Sequence, residues 1–124
     1  MYHVTRASNT KSILTYGLEP QLGERALECG ESLPAVFAFP TLQDCHTALN
    51  QWLGEWWWAK EEIEGADIPL VIIEFDPTGL ARLPKQVAYE ERFASVVPPT
   101  SLRALHSQDA FEKLTLSFLM ADVA

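Results

Sequence analysis

The chain has 124 residues, 48% of them hydrophobic, and carries a formal net charge of −8. That length suits one compact domain spanning residues 1–124 and leaves no room for a second. The acidity argues against a nucleic-acid partner, because binding to a phosphate backbone draws on an excess of Lys and Arg to release counterions.

The opening stretch HVTRASNTKSILTYGL, residues 3–18, supports a strand around Tyr2 and Val4, then offers Ser8 or Asn9 as a helix cap. Gly17 follows Ile13 and Leu14 as a stop signal. Residues 19–34, EPQLGERALECGESLP, mix Gly, Pro and Glu without a sustained period, which predicts a long loop carrying Arg25. AVFAF at 35–39, bounded by Pro34 and Pro40, suits a buried strand.

Thr41 then predicts a helix cap, with Asp44 in the capping-box position. The apolar positions Leu42, Cys45, Leu49, Trp52, Leu53, Trp56 and Ile63 follow helical spacing, and Gly54 is the point at which this long element would kink or divide. Trp56, Trp57 and Trp58 are consecutive, so a helix spreads them over about 200° and cannot hide all of them. Core packing with a partly exposed rim is the expectation for them, ahead of ligand stacking.

PLVIIEF at 69–75 is the strongest strand, predicted to be central, with Asp76-Pro77-Thr78-Gly79 as its turn. VAYEERFASVV at 87–97 is extended in composition, with Tyr89, Glu91 and Phe93 on one parity and Ala88, Glu90 and Arg92 on the other. SLRALH, after Pro98-Pro99, suggests a further strand, and Ser107 caps a final helix whose face is Phe111, Leu114 and Phe118. Strands grouped late in the chain favour α+β over an alternating parallel fold.

Cys29 and Cys45 form no CxxC pair and no zinc-type cluster with His3, His46 and His106, so neither a metal site nor a disulfide framework is expected. No apolar run approaches the ~20 residues that span a bilayer, and the start lacks a charged-then-apolar secretory signature. The expectation is a soluble protein without membrane contact, cytoplasmic if bacterial.

The opening block, with Asn9, Ile13, Leu14, Gly17 and Leu18 behind a strand histidine, resembles the first block of the ADP-ribosyltransferase fold, which includes the poly(ADP-ribose) polymerases. VFAF with its following turn and helix is similar to that fold's second block, and the acidic YEE ahead of FASVV to its third. The chain also resembles a group of small uncharacterised bacterial proteins with GER, an aliphatic-aromatic strand, WLGE, and Tyr-Glu ahead of Pro-Pro. This second likeness spans nearly residues 1–105. The resemblance implies strongly twisted mixed or antiparallel sheets packed with a few helices around a central cleft, and NAD as substrate.

Within that resemblance His3 is the ribose contact, Phe37 holds a stacking place where many relatives have tyrosine, and Glu90 is the catalytic carboxylate. Glu91 is the alternative to Glu90, since a one-residue change of register exchanges the two faces. A carboxylate suits the chemistry because cleaving the nicotinamide bond develops positive charge on the ribose carbon. A further tyrosine of the family has no match, the region reading Cys45-His46-Thr47-Ala48. Arg6 and Arg25 are candidates for phosphate contact on charge and loop position. Three function classes follow: an NAD-dependent ADP-ribosyltransferase or NAD hydrolase, a relative that binds NAD or ADP-ribose without turnover, and a small acidic interaction or immunity protein.

Overall fold

The computed structural model describes residues 1–21, 33–85 and 88–107. Arg25, Cys29 and the expected final helix lie outside these residues. In chain order the elements are β1 (Tyr2–Arg6), α1 (Thr10–Tyr16), β2 (Val36–Ala38), α2 (Leu42–Leu49), α3 (Trp52–Glu64), β3 (Leu70–Phe75), β4 (Arg82–Leu83), β5 (Glu91–Phe93) and β6 (Leu102–Ser107). They form a mixed α+β fold with two antiparallel sheets, ordered β1-β3-β6 and β2-β5-β4.

The apolar run of β3 is buried on both faces, which is why it takes the central place in its sheet. Val71, Ile73 and Phe75 face a core shared with Ile13, Leu18, Val36, Phe93 and Val97. Ile72 faces the opposite core, with Phe39, Cys45, Ala48 and Leu53. The first core ties the sheets together: the rings of Phe75 and Phe93 meet edge to face at 5.6 Å, one from each sheet.

Local signals explain the helices. Thr41 Oγ1 accepts from the Asp44 amide at 3.0 Å, the cap expected for α2. Asn9 stands at the start of α1 but does not cap it; its side-chain amide donates to Thr5 Oγ1 at 3.0 Å, tying the helix entry to β1. Gly17 ends α1 with φ of 82°, and a Cβ there would lie 2.1 Å from the Val97 carbonyl oxygen. That close approach lets Leu18 exchange backbone hydrogen bonds with Val97 at 2.9 and 2.8 Å.

The long helical pattern is broken at Asn50 and Gln51, upstream of Gly54. Gly54 has a different role: a Cβ on it would sit 1.7 Å from the Leu49 carbonyl oxygen, so α3 can start against the end of α2 only with glycine there. The break ends the common phase of the apolar positions, and Ile63, expected on the buried face, is 80% exposed. The 87–97 segment also differs from expectation, since among its described residues only Glu91–Phe93 joins a ladder. Tyr89 lies in a turn, where its ring stacks on Phe39 and its hydroxyl accepts from Trp52 Nε1 at 2.6 Å.

Gly17→Ala is expected to lower unfolding stability by roughly 2 kcal/mol or more, through both the positive φ and the Val97 clash, as read from urea midpoints. Burial pushes the Cys45 thiol up to about 12. In a Cys29→Ser background Cys45 should therefore resist a thiol-specific reagent at pH 8 and react fully once the protein is unfolded. Rapid reaction of the native protein would show that the second core opens.

Candidate functional site

The site begins where β1 and β2 part. Tyr2 and Phe39 exchange both backbone hydrogen bonds, at 2.9 and 2.8 Å, and so join the two sheets. Continuing that antiparallel ladder would next pair Val4 with Phe37. Instead His3 Nδ1 reaches the Phe37 carbonyl oxygen at 2.6 Å. One step further along β2, Ala35 pairs with Gln21 at 3.2 and 3.3 Å. The inner edge of β2 is thus met in turn by a strand, an imidazole and a loop, and the strands diverge at the imidazole.

This register decides where the backbone of β1 points. Ala7 donates to Pro69 and Phe75 donates to Met1, both at 2.8 Å, so the odd positions of β1 bond to β3. Alternation then turns the N–H and C=O of Val4 away from β3. Val4 lines a cleft of about 380 Å³ that opens between the parted strands. Its peptide edge supplies a donor and an acceptor side by side.

The cleft is walled by His3 and Phe37 from the strands, Ser12 and Tyr16 from α1, and Trp56 and Trp57 from α3. Its volume lies within the range typical of small-molecule sites. A carbonyl can only accept, so His3 carries a proton on Nδ1 and donates it to Phe37. Trp56 and Trp57 meet edge to face at 4.9 Å, and cations already lie over both: Lys60 at 5.9 Å from the Trp56 centroid and Arg6 at 5.8 Å from that of Trp57.

The candidate residues divide on this frame. His3 and Phe37 come together on the cleft wall. Arg6 is not part of the wall; its guanidinium forms a fork with Glu64 at 3.0 and 2.7 Å, strapping β1 to the end of α3. The hydrogen bonds from Arg6 hold the Glu64 carboxyl below the usual carboxylate range. A lowered carboxyl contributes stability that is present above its unfolded value and lost as the pH falls through the folded one, so this strap weakens in acid. Arg25 lies outside the described residues.

Glu90 and Glu91 are both buried, and neither lines the cleft. Glu91 stands opposite Ala38, on the face turned from Phe37, and its carboxylate meets Lys85 at 2.9 Å and Arg82 at 3.5 Å. Arg92 stands opposite Phe37. Carrying the alternation back past the end of β5 puts Glu90 on the Phe37 side.

Elsewhere, His46 Nε2 lies 3.0 Å from the Asn50 amide nitrogen, and His106 lies 3.5 Å from the Glu74 carboxylate, both away from the cleft. Among the described residues no group of His, Cys, Asp and Glu is placed to hold a metal ion, and no helix is long and apolar enough to cross a membrane. Of the consecutive tryptophans, Trp58 is 64% exposed, whereas Trp56 and Trp57 wall the cleft. Sequence reasoning gave the pair to core packing; Trp57 does pack against the second core as well. Tyr16, Val4 and Ser12 were not singled out, because they converge only once β1 and β2 separate. No protein-family model, curated protein or solved structure matches the chain.

Replacing His3 by Leu removes a donor from the Phe37 carbonyl at the fork of the strands. A loss of about 1–3 kcal/mol in unfolding free energy is expected, with His3→Asn partly restoring it. Equal stability of His3→Leu and the wild type would show that the carbonyl is satisfied without the imidazole.

Proposed function

We propose that the chain is an ADP-ribosyltransferase-like domain whose cleft binds NAD, and that it transfers ADP-ribose to an acceptor or to water. The observation that carries this reading is the outward-turned peptide edge of Val4 beside His3 and Phe37. A nicotinamide carboxamide offers one amine and one carbonyl in the plane of its ring, which complements a strand's adjacent C=O and N–H. In the same frame the ring lies against Phe37, and the ribose lies beside His3 on the cleft wall. The resemblance of the opening block supports the same ligand.

The chemical step in this reading belongs to Glu90. As the nicotinamide bond lengthens, the ribose carbon gains positive character and a nearby carboxylate lowers the energy of that state. Glu91 is less suited, because Lys85 and Arg82 already neutralise it. A second reading, a domain that binds NAD without turnover, draws on the fact that neither glutamate is on the cleft wall.

NAD at a hundred times its dissociation constant should stabilise the protein by about 2.7 kcal/mol, a clear rise in melting temperature. The nicotinic acid analogue, which replaces the amine donor with a charged oxygen, should bind at least about tenfold more weakly. Release of nicotinamide by the wild type that is lost in Glu90→Gln selects the transferase. Binding without release selects the second reading, and the absence of any shift with NAD removes both in favour of a protein-interaction role.

A further inference from the structure

At about 100° per residue, α3 divides its side chains between two sides. Leu53 and Trp57 turn to the second core, while Glu55, Trp58, Ala59, Glu62 and Ile63 form the solvent side. These positions are spaced i, i+3, i+4, i+7 and i+8, the pattern that a surface helix normally keeps for its buried stripe. On this outer stripe Trp58 is 64% and Ile63 80% exposed. Both rank below Lys, Gln and Glu as helix formers, so neither local propensity nor core packing accounts for a Trp and an Ile facing water on the same side.

We infer that this face docks a basic amphipathic helix of another protein, whatever fills the cleft. Charge selects the occupant. Residues 55–67 hold Glu55, Glu61, Glu62, Glu64 and Asp67 against one basic residue, Lys60, which lies over the Trp56 ring at 5.9 Å. Glu64 is engaged by Arg6, whereas Glu55 and Glu62 stand within the apolar stripe. A helix carrying Lys or Arg beside its apolar side chains meets both features at once. A second copy would set the same acids against each other, on a chain whose net charge is already −8. A helix that lies in a membrane surface draws on Lys and Arg among its polar positions, and this stripe has none. Ala59, between Trp58 and Ile63 on the stripe, is small and leaves a place for one apolar side chain of the incoming helix, as ridges-into-grooves packing requires. With 13 residues, α3 is about 20 Å long, so the contact it offers is smaller than a permanent interface and suits reversible binding.

Fluorescence anisotropy of a labelled heptad peptide of Leu and Lys, titrated with the full chain at low salt, tests the assignment; the same peptide with Glu in place of Lys is the comparison. Saturable binding with a dissociation constant of about 100 μM or below is expected for the basic peptide, and at least about tenfold weaker binding for the acidic one. Trp58→Ser combined with Ile63→Ser should weaken the basic peptide at least about tenfold, whereas Leu105→Ser, at another exposed apolar position, should leave it within about twofold. Glu55→Gln combined with Glu62→Gln should weaken it and flatten its salt dependence. Ala59→Arg, which fills the low point of the stripe with a charge yet keeps a good helix former, should act like the serine pair and covers the case in which serine weakens the helix. Failure of the basic peptide to bind, equal affinity of wild type and the stripe variants, or equal affinity for the two peptides overturns the proposal. So does a wild-type dimer in sedimentation that the serine pair dissolves, which assigns the face to a second copy. Attachment to neutral phosphatidylcholine vesicles that is lost in the same pair overturns it in favour of a membrane.

Discussion

The hydrogen bond between the His3 imidazole and the Phe37 carbonyl is the constraint on which the cleft depends. Two strands that have begun to pair, as Tyr2 and Phe39 have, gain by continuing, because each unpaired edge leaves donors and acceptors to be satisfied elsewhere. A side chain that satisfies the next acceptor removes part of that gain, and the strands can separate without leaving the Phe37 carbonyl unsatisfied. The imidazole spans a gap that backbone groups would close. The same residue thus shapes the cavity and forms part of its wall.

Opening the ladder also changes what the backbone can do. Strand edges in most sheets are covered or paired; the edge of β1 beyond Tyr2 is instead turned into a cavity with aromatic walls. Peptide groups cannot be altered by side-chain substitution, so recognition through Val4 depends on the register of β1 against β3 and not on residue 4 itself. That register is held by the burial of Val71 and Ile73 on one face and Ile72 on the other. The core and the site are therefore coupled through alternation. A slip of β1 by one residue would turn the Val4 peptide back toward β3 and exchange the faces of the β1 side chains.

What could be read from the residue order was what depends on neighbours. The Thr41 cap, the Gly17 stop and the central placement of 69–75 each follow from a few adjacent side chains, and each appears in the structure. The α+β class follows from the order of the elements. Features that need distant segments were less accessible. The strand in 87–97 is short because Tyr89 is drawn to Phe39 and Trp52, residues far away in the chain. Arg6 looked like a phosphate ligand on charge and loop position, and its engagement with Glu64 could not be inferred from local pattern. His3 and Phe37 were identified by resemblance; their hydrogen bond, which explains why they matter, was not. Ile63 failed because one helical phase was extended through a break.

That break at Asn50 and Gln51 sets the rotational phase of α3 independently of α2. Each residue of an α-helix turns its side chain by about 100° relative to the last. Inserting or deleting one amino acid in the short joint would therefore act like a dial on the tryptophan triplet, withdrawing one indole from the cavity and swinging the solvent-facing Trp58 toward it, with every sequence motif still in place. Homologous chains with joints of different length would carry the same three tryptophans and yet present different chemistry to a bound molecule.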